Sequence, residues 1–142
     1  MIREAVQAIL QKFDSAWATS VERVKLREVN LARFGELAYE DIRKILVEVE
    51  ASDSRITLEE RNRGFFVYFR GNVLFRVGVN VFTDRAEVKV DGERVVTYRG
   101  WHDSSLENYG PYHKVSVAIK KSILAAFHNT LGNFLQQELN KL

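Results

Sequence analysis

The chain has no cysteine, a single proline at Pro111 and no long apolar run. The first absence excludes disulfides, thiolate metal sites and cysteine nucleophiles. The second goes with 46% hydrophobic and 28% charged residues, a profile of a compact protein and not of a disordered or repeat-built one. The third excludes a membrane span, because no window approaches the ~18 consecutive apolar residues that one needs. Met1 to Phe13 carries a polar residue every two or three positions, so it lacks the apolar region of a signal peptide, and a cytoplasmic protein is expected. No glycine-rich phosphate loop, zinc-ligand spacing or dinucleotide fingerprint occurs, and no cofactor is expected. Charge of one sign is also scarce: the net charge is +2, too small to imply nucleic acid by itself.

What the chain does have is a stretch from Arg55 to Arg99 in which hydrophobic residues alternate in short runs broken at Gly71-Asn72, Thr83-Asp84 and Asp91-Gly92. Such breaks between alternating runs predict hairpins and an antiparallel meander of four strands, with Ile56 to Leu58 adding a fifth at its edge. Counting outward from the turns sets Tyr68 against Phe75, Phe66 against Val77, Val79 against Val88 and Val88 against Val95. That register puts Phe66, Tyr68, Val73, Phe75, Val77, Val79, Val81, Ala86, Val88, Val90 and Val95 on a core face. It puts Phe65, Val67 and Phe69 on the opposite face, beside Arg76, Asn80, Phe82, Arg85, Glu87, Lys89, Arg94 and Tyr98.

Helical spacing flanks the meander on both sides. Ile2, Val6, Ile9, Leu10, Phe13 and Trp17 form one stripe, expected to stop near Ala18. Thr19 and Glu22 have capping-box spacing for a second helix, and Leu31, Phe34, Ala38, Ile42, Ile45 and Val49 form a further stripe, with a bend expected at Gly35. Pro111 suits the first turn of a helix running to Leu142, a helix apolar over so much of its girth that it wants cover on more than one side. The expected fold is a single α+β domain over residues 1–142: N-terminal helices, a four- to five-stranded antiparallel β-meander, and a long C-terminal helix packed on the sheet.

Two groups of residues are candidates for function. Arg76, Arg85, Lys89 and Arg94 with Phe82 and Tyr98 combine cations that track phosphates with rings on which bases stack, and Arg61, Arg63 and Arg70 at strand ends would extend the patch. The competing reading is a solvated face on which Glu87 pairs with Arg76 or Arg94. The loop after Gly100 gathers Trp101, His102, Asp103, Ser104, Glu107, Tyr109 and His113, and long loops on rigid scaffolds carry binding residues. There His102 or His113 would serve as a base with Asp103 or Glu107 orienting it, although residues adjacent in sequence do not make a triad. Glu87-Val88-Lys89 resembles the Glu-x-Lys half of the restriction-type nuclease motif, in which an acid and a lysine share a strand face beside a bound Mg²⁺. The resemblance spans three residues, and Asn80, a poorer ligand, is expected opposite Glu87.

The leading expectation is therefore a non-catalytic binding module. It self-associates as a homo-oligomer through the C-terminal helix or the apolar half-face, and presents the arginine-rich face and the aromatic and histidine loop to nucleic acid or to a protein partner. Alternatives are a protein-protein interaction or inhibitor protein without nucleic-acid binding, a small-ligand container lined by Phe66, Tyr68 and Phe75, and a metal-dependent hydrolase or nuclease.

Overall fold

The structure, a computed structural model, describes residues 1–100 and 110–142, with side chains from Tyr112 onward in the second stretch. Helix α1 spans Ile2–Ala51. Five strands follow: β1 Ile56–Arg61, β2 Gly64–Phe69, β3 Asn72–Val81, β4 Ala86–Val90 and β5 Glu93–Tyr98, and helix α2 spans Gly110–Asn140. The strands pair in chain order, every pair antiparallel. Both helices pack on one face of this sheet, giving an α+β architecture whose core draws on α1, the sheet and α2 together.

Helix α1 departs from the expected series of shorter helices. It is continuous for 50 residues, a length of about 75 Å. The Thr19 hydroxyl does not cap a new helix; it donates to the Ser15 carbonyl one turn back, at 3.0 Å. With no proline and no glycine before Gly35, the chain has nothing that would make stopping and renucleating cheaper than continuing. Gly35 earns its place by proximity: a Cβ there would lie 2.6 Å from Val81 Cγ2, so a side chain would push α1 off β3. From Met1 to Leu26 every residue is exposed, and the helix meets the sheet only from Arg27 onward. There Leu31, Phe34, Ala38, Ile42 and Leu46 are buried. Arg27 fastens the point of entry, donating to the Arg99 carbonyl at 2.8 Å and to the Asp84 carbonyl.

The sheet corrects the expected register in β2. The turn is Arg70-Gly71, not Gly71-Asn72: both residues have positive φ (49° and 77°), and Phe69 faces Asn72. Moving a two-residue turn by one position turns every β2 side chain over. Phe65, Val67 and Phe69 enter the core, while Phe66 and Tyr68 face the open side. The preference follows from content, since one parity carries three fully apolar side chains and the other carries Phe66, the Tyr68 hydroxyl and the Arg70 charge. A bulge between Val67 and Tyr68 then lets Phe75, Val77 and Val79 keep their expected core positions opposite the shifted strand. Val73, expected in the core, is 55% exposed.

The β3–β4 pairing matches the expectation, with Val79 opposite Val88 and Val81 opposite Ala86. Asp91-Gly92 forms the expected turn, but a bulge between Val88 and Lys89 sets Val88 against Val96 instead of Val95. Val96 and Tyr98 thereby join the partly buried residues packed against the core, alongside Val95. In α2, Tyr112, Ile119, Ile123 and Ala126 are buried. The Tyr112 hydroxyl donates to the Leu37 carbonyl at 2.9 Å, and burial, reinforced by Asp41, raises its pKa far above that of free tyrosine. No described helix is long and apolar enough to cross a membrane.

Candidate nucleic-acid interface

The pleat places alternate residues of each strand on the open face, and pairing sets them in rows across the sheet. One row runs Arg61, Gly64, Gly78, Lys89, Arg94. The neighbouring row holds Glu59, Phe66 and Arg76. Two glycines opposite one another leave bare backbone at the middle of the first row, and the Arg76 side chain lies over it. A Cβ on Gly64 would come within 3.2 Å of Arg76 Nε, and one on Gly78 within 3.7 Å of its NH2 nitrogen. Arg76 NH2 also donates to the Asn62 carbonyl at 3.4 Å.

Phe66 stands between two cations. The guanidinium carbon of Arg61 is 4.6 Å from its ring centroid and that of Arg76 is 5.6 Å away. Such contacts hold guanidinium groups flat against a ring with their N–H edges turned to polar partners, as Arg61 Nε is toward Glu59 Oε1 at 3.3 Å. Beside it, the Tyr68 hydroxyl donates to Glu59 Oε2 at 2.8 Å, and that hydrogen bond to an acid raises the tyrosine pKa. The aromatic component of this face is therefore Phe66 and Tyr68, which the sequence-based register assigned to the core. Tyr98, expected on this face, instead stacks against Phe34 on the core side, with centroids 4.8 Å apart. Phe66 and Tyr68 also leave the side of the sheet that holds Phe75, so these three do not line one container. A cleft of about 310 Å³ lies elsewhere, among Gly35, Tyr39, Arg63 and Val79.

At the other end of the face the expected pairing of Glu87 takes shape around Arg85. Arg85 Nε donates to Glu87 Oε1 at 2.8 Å, its NH1 reaches Asp84 at 2.9 Å, and its guanidinium covers the Phe82 ring at 4.4 Å. Arg94 approaches the same Glu87 oxygen at 3.5 Å. The carboxylate is 4% exposed, and the Arg85 hydrogen bond is the main influence holding its pKa below 4.5, aided by the charges of Arg85, Arg94 and Lys89 against the opposing effect of burial. Asn80 sits opposite Glu87, as the register counted from the turns predicts. Both nearby acids are thus held by Arg85, and no group of three or more His, Cys, Asp or Glu among the described residues is placed to hold a metal ion.

This pair makes stability pH-dependent in a defined direction. A carboxyl whose folded pKa is depressed contributes stability above its unfolded pKa, and that contribution disappears as pH falls through the folded value. The gap in urea midpoint between the wild type and Glu87→Gln is therefore expected to be widest near neutral pH and to narrow as pH drops below 4.5. Asp53, held low by the Arg55 side chain and backbone N–H, is common to both proteins and cancels. A gap that stays constant down to acid pH contradicts this role for the pair.

Of the sequence candidates, Arg76, Lys89 and Arg94 come together on the open face, and Arg85 and Phe82 sit at its β3–β4 end. His113 is exposed on the first turns of α2, and His128 is exposed farther along the helix. Trp101, His102 and Tyr109, with Asp103, Ser104 and Glu107, lie outside the described residues. Arg61, expected at a strand end beside the patch, takes its place in the first row, and Phe66 joins the site only through pairing. The signal that would have found Phe66 is the parity of β2, because burying Phe65, Val67 and Phe69 leaves it outside. In comparisons with known proteins, the chain matches no family model, no curated protein and no solved structure.

Proposed function

We propose that this protein is a non-catalytic binding module that takes a single-stranded nucleic acid across the open face of its sheet. The observation that carries the reading is Phe66 held between Arg61 and Arg76, whose side chain lies over the Gly64–Gly78 backbone, with Lys89 and Arg94 in the adjoining row. An open sheet face offers a strand of nucleic acid length without a groove, aromatic rings give each base a stacking partner, and cations follow the phosphates. Phe66 and Tyr68 supply the rings, Arg61, Arg76, Lys89 and Arg94 the charge. Arg85, committed to Glu87 and Asp84, orders the edge of the surface and carries no phosphate.

Fluorescence anisotropy with labelled single-stranded DNA and RNA tests the reading. Four phosphate contacts on a single strand predict a loss of affinity of roughly 50-fold between about 50 and 200 mM salt. Removing a stacking ring by Phe66→Ala should weaken binding by about 5- to 150-fold, as one base loses its platform. Arg76→Ala should flatten the salt dependence by about one contact. Absence of binding at the lower salt, or binding indifferent to both substitutions, overturns the proposal and favours a protein partner on the same face.

A further inference from the structure

The exposed first half of α1 carries an apolar face that no described residue covers. Ile2, Ile9, Phe13 and Trp17 are 83%, 66%, 61% and 64% exposed, and Val6, Leu10, Val21 and Val24 are exposed with them. Steps of three and four residues carry this same helix face into Leu31, Ala38, Ile42 and Leu46, where the protein's own sheet buries it. No described residue packs on this stretch, whereas helices in folded proteins draw most of their stability from packing an amphipathic face. The face is also large. Its eight side chains expose on the order of 800 Å², more than the patches most monomers show and about what one partner contributes to a stable complex.

We infer that a second copy of the chain binds here, its α1 lying antiparallel along this face across a twofold axis at the level of Ser15. The positions themselves are arranged for it. Turned about Ser15, Val6 falls on Val24, Ile9 on Val21 and Phe13 on Trp17. A twofold interface needs this self-complementarity, because every residue must meet the partner of its own mirror position. Phe13 and Trp17 already stack within one chain at 6.3 Å between centroids, and the axis would bring two such pairs together at the centre. On the flank, Arg3 comes within one residue of level with Glu28 of the partner subunit, an ion pair made twice.

Sterics choose the orientation. A parallel partner laid along the face would run past Glu28 into the space that this chain's own sheet fills, since the face exposed to Val24 is the face buried from Leu31. An antiparallel partner instead sets its exposed stretch, Ile2 to Leu26, against this one and keeps the two sheets at opposite ends. Its Ile2 would arrive at the groove between Glu28, Leu31, Val81 and Phe82, where Val81 and Phe82 are 39% and 42% exposed.

Sedimentation velocity on the full chain tests the inference, and its outcome does not depend on nucleic-acid binding. The wild type should sediment as a dimer. Phe13→Glu and Trp17→Glu should each weaken it by at least about a hundredfold while leaving the urea midpoint of monomer unfolding unchanged, because both side chains are exposed in the single chain. Because the chain lacks cysteine, orientation is readable directly: Val6→Cys mixed with Val24→Cys should form a mixed disulfide dimer faster than either variant forms one alone. A monomeric wild type overturns the inference, whether or not the protein co-sediments with anionic vesicles. So does a dimer that both glutamates leave intact, which would move the contact to an exposed face such as Leu135 and Leu139 of α2. Disulfides formed preferentially between identical Val6→Cys chains would overturn the antiparallel arrangement.

Discussion

Phe34→Ala is expected to lower the stability of the folded chain by about 3–5 kcal/mol. Phe34 is fully buried where three elements meet: its own helix, β5 through Tyr98, and α2 through Tyr112. The ring stacks on Tyr98 with an interplanar angle of 20° and meets Tyr112 edge-on at 6.3 Å, so truncation removes apolar burial and two aromatic pairs at once. Each such pair is worth about 0.5–1.5 kcal/mol beyond area. Collapse cannot fill the space cheaply, because Tyr112 is tied to the Leu37 carbonyl and Tyr98 to the register of β5. Against a typical total of 5–15 kcal/mol this is a large fraction. A urea titration should show the midpoint falling with little change of slope. A loss under about 1 kcal/mol would mean that α2 does not close on Phe34 in solution.

Two neighbouring phenylalanines should respond in opposite ways. Phe65→Ala is expected to cost about 3–5 kcal/mol, since Phe65 is 3% exposed and packs against Tyr39 of α1 with ring centroids 5.0 Å apart. Phe66→Ala should cost under about 1 kcal/mol, because its ring lies on the open face against Arg61 and Arg76, and truncation opens no cavity. The contrast tests the register of β2 directly. Had Gly71-Asn72 been the turn, the two results would exchange. It also separates stability from binding, for Phe66→Ala should harm nucleic-acid affinity in a protein that remains folded.

The same pair of residues marks how far the sequence could be read. Strand number, strand order and the core positions of Phe75, Val77, Val79, Ala86, Val88 and Val90 were legible from alternation and from the breaks around Thr83-Asp84 and Asp91-Gly92. The face of β2 was not, because the reading trusted glycine and asparagine to mark the turn, whereas Arg70 supplies the left-handed residue. Weighing the two parities of β2 for apolar content would have recovered it. The bulges at Val67/Tyr68 and Val88/Lys89 leave no such trace, since either register buries valines, and packing against the helices selects between them. At the site, the arginines were found and their rings were not. Phe66 and Tyr68 were exchanged for Tyr98 by those slips. The unity of α1 was obscured by Thr19, whose hydroxyl suits a cap and a helix interior equally well.

The order of assembly follows from the meander. Every strand pairs with its neighbour in the chain across a loop of two to four residues, so the sheet can zip hairpin by hairpin with little chain entropy lost at each closure. The two helices are different. Phe34 and Tyr112 meet across 78 positions of sequence, and they can do so only over a sheet that already presents Tyr98. Closure of α1 and α2 over the apolar face thus carries the largest loop-closure cost in the fold, and it is this closure that takes Val67, Val77 and Val88 out of water.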